Sequence, residues 1–450
     1  MSGNKMHQYR ELIKIGTPII IGQLGTIVLG FADTLMIGHH STDELAAAGL
    51  VNNVFGLVLL FYLGFSYGLT PIVGRLFGTG RKKEIGVKLK NSIPANLLVG
   101  LLLTAAMTAL YFNLTRIGQP EELLPLIRPY FIVNLVSIPF VGVFNTLKQF
   151  FDGTTRTAVP MWVMIGGNLL NILFNWLLIY GVCGFPELGL LGAGISTMGS
   201  RIAMAIALCA IMLWGKSNRI YRDGMREGRV NKSDFMEMNR LGWPVALQLG
   251  METAAFSLSS IMVGWLGTEQ LAAHQVMITT SQLFYLILSG MAAAASIRIS
   301  LFVGQGNFAA VRRTAADGFR LNLLISFVMS VPLLIFRHQL GGLFTDSAEV
   351  GQMVAALCIA LVVYQFGDGL QFTFANALRG IACVKPMVYY AFIAYFVINL
   401  PMGYVLGFPL KFGITGIWAA FPFGLTVAGV LFWRKFRREL RKMEASRATA

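Results

Sequence analysis

The feature that most constrains this chain is a series of twelve long apolar stretches, separated by polar connections. A helix crosses the hydrocarbon core of a membrane in about 20 apolar residues. Charged residues make up 13% of the chain, against about 25% in a soluble domain, so a soluble globular protein is excluded. The sequence predicts an all-α integral membrane protein. The predicted transmembrane helices cover roughly residues 13–38, 46–72, 92–113, 127–147, 158–180, 190–213, 241–266, 270–296, 315–336, 350–377, 385–407 and 412–433.

The distribution of Lys and Arg predicts how these helices are oriented. When successive connections are assigned to alternate sides of the membrane, 31 of the 36 Lys and Arg fall on one side and 4 on the other. Only Arg201 lies in the middle of a span. Because cytoplasmic loops retain Lys and Arg, both termini are predicted to be cytoplasmic. The same bias accounts for the net charge of +15, so nucleic acid is not expected as a partner.

The two halves of the chain match at a constant offset of 226 residues. Because each half holds six spans, both halves start on the same side, as in parallel transporter repeats. We predict twelve transmembrane helices in two pseudo-twofold-related six-helix bundles, residues 1–214 and 241–450, joined by a cytoplasmic linker at 215–240. The second bundle ends in a basic cytoplasmic tail. The matching segments include Gly16-x-Pro18 with Gly242-x-Pro244, Thr42–Ala47 with Thr268–Ala273, and Gly78-x-Gly80 with Gly304-x-Gly306.

Pro18 and Pro244 occupy equivalent positions in the first span of each half. Proline removes a backbone donor and kinks a helix interior, but it is tolerated in the first turn of a helix. The sequence therefore leaves two interpretations open: a bending hinge within the span, or the start of the helix.

Three acidic residues lie inside predicted spans, namely Asp33, Glu252 and Asp368. An ionisable side chain at the centre of a membrane costs about 2.5–3.5 kcal/mol on insertion scales. Arg201 is the only basic side chain available there, and one cation does not neutralise three anions. We therefore predict that some of these carboxylates are protonated or bind an external cation, in preference to a static salt bridge. The sequence assigns no role to Arg201.

Helical spacing places other polar side chains in stripes along the spans, because residues at i, i+3, i+4 and i+7 share one helix face. One stripe, whose oxygens suit a hard cation or a proton relay, consists of Tyr364, Asp368 and Gln371. A second stripe consists of Asn168, Asn171 and Asn175. The second stripe is open to two interpretations, coordination of an ion or proton and hydrogen bonding between helices.

The sequence does not favour an enzyme. A membrane prenyl transferase would need clustered acids such as D-D-x-x-D to hold magnesium, and the sequence contains no such cluster. The four cysteines are far apart and form no C-x-x-C pair, which argues against a zinc site and a disulfide framework. No resident cofactor is predicted.

Five short motifs are spread over the chain. They are ADTLMIG at 32–38, GWPVALQLGMETAAF at 242–256, AAHQV at 272–276, YQFGDGLQ at 364–371 and LRG at 378–380. Together with the six-plus-six repeat, they resemble the multidrug and toxic compound extrusion (MATE) family, in its NorM-like branch. The resemblance implies an antiporter of a bacterial inner membrane that exports organic cations and amphiphilic drugs by alternating access, in exchange for Na⁺ or H⁺. We expect a monomer surrounded by membrane lipids.

The resemblance further implies roles for individual residues of the second half. The positions of Glu252, Asp368 and Tyr364 correspond to a cation site, here with Na⁺ as the candidate ion. Gln275 and Gln371 are assigned to the substrate cavity.

In the first half, the resemblance implies a second coupling site and one further cavity position, Asn53. Some relatives carry an aspartate where this chain has Asn175, which favours the second half for sodium. The implied first-half coupling residues are Asp33, Asn171, Asn175 and Thr197.

A lipid-linked oligosaccharide flippase of the same superfamily is the alternative function. A cleft that holds pyrophosphate would be expected to carry several cations, whereas only Arg201 is available within the spans. The residues therefore favour drug export, and they leave both the specific substrate and the coupling ion open.

Overall fold

A computed structural model describes residues 2–117, 121–345 and 347–448, and within these ranges the regular secondary structure is entirely helical. The α-helices are α1 (Ser2–His40), α2 (Thr42–Ser66), α3 (Leu69–Gly78), α4 (Lys82–Phe112), α5 (Leu124–Gly153), α6 (Ala158–Ile179), α7 (Leu190–Trp214), α8 (Arg219–Glu227), α9 (Lys232–Gly264), α10 (Thr268–Gly304), α11 (Phe308–Ile335), α12 (Arg337–Leu340), α13 (Ala348–Gly380), α14 (Lys385–Phe392), α15 (Leu400–Gly407) and α16 (Gly413–Ala448).

Twelve helical segments among the described residues are long and apolar enough to cross a membrane, which confirms the predicted all-α fold with twelve spans. Two spans are composite. The second joins α2 to α3, and the eleventh joins α14 to α15 through a π-helical segment, Ile393–Asn399. Most helices extend beyond the apolar stretch, because backbone hydrogen bonding continues into polar residues; α10, predicted to end at 296, continues to Gly304.

The contacts divide the chain into two compact units, which we call the N-terminal unit (residues 21–246) and the C-terminal unit (residues 1–20 and 247–450). The boundaries between the units fall inside α1 and inside α9. The first part of each of these helices therefore packs with the unit that is mainly built from the other half of the sequence.

The predicted division of the chain into bundles at 1–214 and 241–450, with a linker between them, stays a prediction. Most of the predicted linker, residues 215–240, is helical: it contains α8 and the start of α9.

In the C-terminal unit, the start of α1 packs against α10 through a glycine. A Cβ on Gly16 would lie 2.6 Å from Sδ of Met291, so glycine allows this approach without displacing the methionine side chain. Nearby, Arg298 of α10 forms a salt bridge of 3.4 Å with Glu11. Leu12, Ile15 and Ile19 belong to the same buried cluster as Met291.

In the N-terminal unit, the start of α9 packs against α2 in the corresponding way. A Cβ on Gly242 would lie 2.7 Å from the carbonyl oxygen of Phe65, and Glu237 forms a salt bridge of 3.1 Å with Arg75. The offset of 226 relates Gly16 to Gly242 and Phe65 to Met291. The sequence repeat is thus expressed as matching contacts within each unit.

Both prolines at the repeat positions lie inside long helices. Pro18 is the seventeenth residue of α1, and Pro244 is the thirteenth residue of α9. The interpretation of these prolines as helix starts is therefore wrong, because the backbone continues as a helix well before each of them. The hinge interpretation stays a prediction.

Gly242→Ala is expected to lower the thermal midpoint, because the added Cβ would lie 2.7 Å from backbone oxygen of Phe65 and the two helices must separate. Overpacking of this kind costs about 1–3 kcal/mol. Gly199→Ala on α7 is the matched control, since no described neighbour lies within 4 Å of its Cβ and alanine favours a helix by about 1 kcal/mol. Thermal unfolding in one detergent compares the variants, and equal midpoints would contradict this packing.

Candidate functional site

Two buried carboxylates lie near each other in the C-terminal unit. Glu252 is on α9 and is 5% exposed, and Asp368 is on α13 and is 1% exposed. Each is close enough for its charge to act on the other. Both acids were predicted to lie inside spans, and the structure brings them together although they are 116 residues apart in sequence.

Glu252 is held by amide groups rather than by a basic side chain. Its Oε2 accepts hydrogen bonds from Nε2 of Gln248 at 3.0 Å and from Nε2 of Gln371 at 3.2 Å. The phenol of Tyr395 lies near this carboxylate, but its buried hydroxyl forms no hydrogen bond. The two amides can orient the carboxylate, but neither they nor the phenol neutralises a negative charge on it.

Asp368 lacks even such partners. Both of its carboxylate oxygens are buried without a hydrogen bond, and so is Oε1 of Gln371. Among the described residues, no Lys, Arg or His forms an ion pair with Asp368 or Glu252 within 4.0 Å. A buried charged group without a partner is strongly unfavourable, so this cluster is suited to taking up a proton or a cation.

The chemistry of these donors fits a hard cation better than a soft transition metal. All of the free donor atoms near Asp368 are oxygens, which suit hard cations. The described residues contain no group of three or more His, Cys, Asp and Glu side chains that could hold a metal ion.

Aromatic rings surround the carboxylates on one side. Tyr364 of α13 packs edge-on against Phe256 at 6.3 Å and against Phe421 at 6.2 Å between ring centroids, and Phe256 stacks on Phe421 at 4.9 Å. These rings are part of the buried core of the unit. They keep bulk water from this side of the cluster, which strengthens the electrostatic interactions within it.

Sequence reasoning missed Gln248 and Tyr395. Gln248 precedes Glu252 by four residues, so the helical period alone could have placed it on the same face. Tyr395 lies in the π-helical segment Ile393–Asn399. Pro401 lacks the N–H that would bond to the fourth preceding carbonyl, which gives this irregularity a local cause. Pro401 is the one sequence signal that could have indicated a break here, and it would not have placed Tyr395 near Glu252.

His274, in the motif AAHQV, forms a buried hydrogen-bonded chain in the same unit. Nε1 of Trp418 donates to Nδ1 of His274 at 3.0 Å, and Nε2 of His274 lies 2.8 Å from Oγ of Ser260. Because an indole only donates, Nδ1 is the acceptor and the imidazole is neutral, with its proton on Nε2. This chain links α9, α10 and α16, and it explains the histidine as a structural residue.

The N-terminal unit contains a second polar cluster around Asp33 of α1. Nδ2 of Asn175 donates to Oδ1 of Asp33 at 2.5 Å. The amide of Asn171 lies 3.0 Å from that of Asn175 and 3.2 Å from Oγ1 of Thr197. The structure thus brings together the four residues for which the first-half coupling role was predicted, and that role stays a prediction.

Asp33 and Thr197 line a cavity of about 390 Å³ within the N-terminal unit. Arg201 of α7 lines it too, and its Nη1 donates to Oγ of Ser137 at 2.7 Å and to Oδ1 of Asn134 at 3.3 Å. The cavity therefore carries one negative and one positive side chain, on walls that are otherwise neutral.

The predicted cavity residues have different positions. Asn53 is exposed and does not line this cavity, whereas its neighbour Asn52 does; one residue along a helix turns the side chain by about 100°. Gln275 is exposed on α10. Gln371 is fully buried and contacts Glu252, so the structure groups it with the carboxylates. Asn168, from the predicted stripe, lines the cavity.

Comparisons with known proteins point to one family. The MatE family model matches residues 18–177 and 244–405. The multidrug resistance protein NorM of Vibrio parahaemolyticus is 30% identical over 441 residues, covering 96% of each chain. The multidrug resistance protein NorM of Photobacterium profundum is 28% identical over 446 residues, again covering 96% of each chain. With twelve apolar helices, these bacterial relatives support a multi-pass protein of the bacterial inner membrane.

A solved structure has the same fold. It is an outward-facing conformation of a multidrug resistance MATE family transporter of the MOP superfamily, with a TM-score of 0.88 and 18% identity. The match covers 97% of this chain and 96% of that one. At this identity the likeness is evidence for the fold.

Proposed function

The chain belongs to the MatE family, and from this premise we propose that it exports organic cations and amphiphilic drugs in antiport with Na⁺ or H⁺. Members of this family are transport proteins and not enzymes. The substrate class rests on the relatives, which are named as multidrug resistance proteins. The antiport mechanism rests on the chemistry of the two clusters of this chain.

The observation that carries the proposal is the pair of buried carboxylates in the C-terminal unit. Asp368 has no hydrogen bond to either oxygen, and Glu252 is bonded only by neutral groups. A permanent charge in such surroundings costs several kcal/mol, so the pair is stable only while a proton or a cation is bound. Tyr364 lies on the same face of α13 and borders this site. We assign Na⁺ or H⁺ as the cargo that binds here.

Exclusive occupancy provides the coupling. A carboxylate that holds a proton or a cation no longer attracts a cationic drug, so ion and drug occupy the anionic sites in turn. Because coupling between two ligands is reciprocal, ion binding weakens drug binding by the same factor as drug binding weakens ion binding. Asp33, held by Asn175 and adjoined by Asn171 and Thr197, is the corresponding anionic site in the N-terminal unit.

The proposed topology places both termini in the cytoplasm, because the basic residues collect on that side. The transporter is proposed to act as a monomer in the inner membrane, surrounded by lipid. The flippase alternative gains no support from the described residues of the cavity, since Arg201 is the only cation lining it.

Transport by the purified full-length protein in lipid vesicles tests the proposal. Ethidium uptake is followed by fluorescence while a sodium gradient and a pH gradient are imposed separately, each with an ionophore that collapses the other. We expect one of the two gradients to drive ethidium in the direction opposite to the flow of its ion. Ethidium movement should stop when that gradient is collapsed. Absence of movement under both gradients would contradict the antiport and reopen the flippase alternative.

A further inference from the structure

The cavity of the N-terminal unit contains two opposite charges that do not pair with each other. Asp33 and Arg201 both line this space of about 390 Å³, within the usual range of small-molecule sites. Among the described residues, no carboxylate lies within 4.0 Å of the Arg201 guanidinium, and no basic side chain lies within 4.0 Å of Asp33. Each charge is thus available to a ligand.

Arg201 is held in place by hydrogen bonds to neutral groups, and the Asp33 charge acts on it without a direct ion pair. Both of its hydrogen bonds are made by Nη1, to the neutral side chains of Ser137 and Asn134. Its Nε and Nη2 donors have no acceptor among the residues that the structure describes. A guanidinium presents its donors in a planar fork that matches a carboxylate, so an anionic group of a ligand can meet the unused donors.

Asp33 supplies the complementary charge. Asn175 donates to its Oδ1 at 2.5 Å, which fixes the carboxylate without neutralising it. The apolar side chains that line the same cavity include Phe55, Phe144 and Met204. Aromatic and methionine side chains suit the flat or irregular body of an amphiphile.

We propose that this cavity recognises amphiphiles that carry both a cation and a carboxylate, with the carboxylate bound by Arg201 and the cation by Asp33. The inference rests on the proposed function and makes it more specific, because it assigns Arg201 as the residue that selects zwitterions over simple organic cations. A purely cationic ligand would satisfy Asp33 and be repelled by Arg201.

A pair of dyes that differ in one methyl group tests this assignment. Rhodamine 110 has a cationic xanthene and a free carboxylate, and rhodamine 123 is its methyl ester. Fluorescence anisotropy with the purified full-length protein gives the dissociation constant of each dye. For Arg201→Gln we expect rhodamine 110 to bind roughly 10- to 100-fold more weakly, the loss of a charged hydrogen-bonded pair, and rhodamine 123 to bind more tightly.

Two further variants keep the result interpretable. Arg201→Lys retains the cation and is expected to restore part of the rhodamine 110 affinity, which a variant that merely fails to fold would not do. Arg219→Gln removes an exposed cation of α8, outside the cavity, and should leave both dyes unaffected. Equal changes for the two dyes in Arg201→Gln, or no change, would overturn the assignment and leave Arg201 as a structural residue.

Drug export and the assignment of Arg201 can be tested independently of each other. Gradient-driven transport of rhodamine 110, the dye that the site is expected to prefer, by the unmodified protein in vesicles measures export itself. Selective binding without any transport would contradict export and support the site, whereas transport without selectivity would support export and overturn the role of Arg201.

Discussion

Asp368→Asn is expected to abolish the effect of the coupling ion and to leave the fold intact. The amide has nearly the same shape as the carboxylate, but it takes up no proton and carries no negative charge to attract a cation. The gradient-driven rate of drug transport should therefore fall by roughly a hundredfold, near the upper end of known coupling between two ligands. Because Asp368 is buried with neither oxygen bonded, its replacement by a neutral group should not lower the thermal midpoint.

Ion binding and transport can be measured on the same preparation. A ligand that binds only the folded state raises the thermal midpoint, so the unmodified protein should be stabilised by sodium or respond to pH. Asp368→Asn and Glu252→Gln should lose that response. Glu349→Gln, which changes an exposed acid in the same unit, is the matched control for Glu252→Gln. Transport at the unmodified rate by Asp368→Asn would remove this pair from the coupling mechanism.

Asp33→Asn is expected to weaken the binding of ethidium by at least about tenfold, the effect of removing one charged contact. Asp33 is the only acidic side chain among those that line the cavity of the N-terminal unit. The amide of an asparagine still offers an oxygen to Asn175, so the packing of α1 against α6 should persist.

Ethidium anisotropy at several sodium concentrations and pH values measures this effect and its dependence on the ion. The unmodified protein should bind ethidium less well as the coupling ion saturates its sites, whereas Asp33→Asn should bind weakly throughout. Asp43→Asn, an exposed aspartate of α2, controls for the loss of one negative charge. Unchanged ethidium affinity in Asp33→Asn would exclude Asp33 from drug binding.

The twelve spans could be predicted because membrane insertion depends on apolar length, which is a local property of the sequence. The ends of the helices could not, since α10 continues to Gly304 and α1 starts among polar residues. The helical period placed Asp368 and Gln371 on one face of α13, and the structure uses that face. The period also placed Asn171 and Asn175 together on α6.

Contacts between helices could not be predicted from apolar length or from the helical period. Tyr395 lies near Glu252 and belongs to a π-helical segment of the eleventh span, which neither apolar length nor the helical period predicts. Asn52 rather than Asn53 lines the cavity. Which of these two adjacent side chains faces the cavity depends on how α2 is rotated about its axis against its neighbours. Arg201 was visible as a charge within a span, but its hydrogen bonds with α5 were not.

The sequence by itself determined the membrane class, the number of spans, the repeat and the identity of the three unusual acids. These properties depend on hydrophobicity and periodicity, which act along the chain. Only the tertiary structure decided that Glu252 and Asp368 meet, that Asp368 has no hydrogen-bond partner, and that Asp33 and Arg201 line one cavity. Those facts depend on how helices are rotated and packed, because burial and charge pairing are set by neighbours distant in sequence.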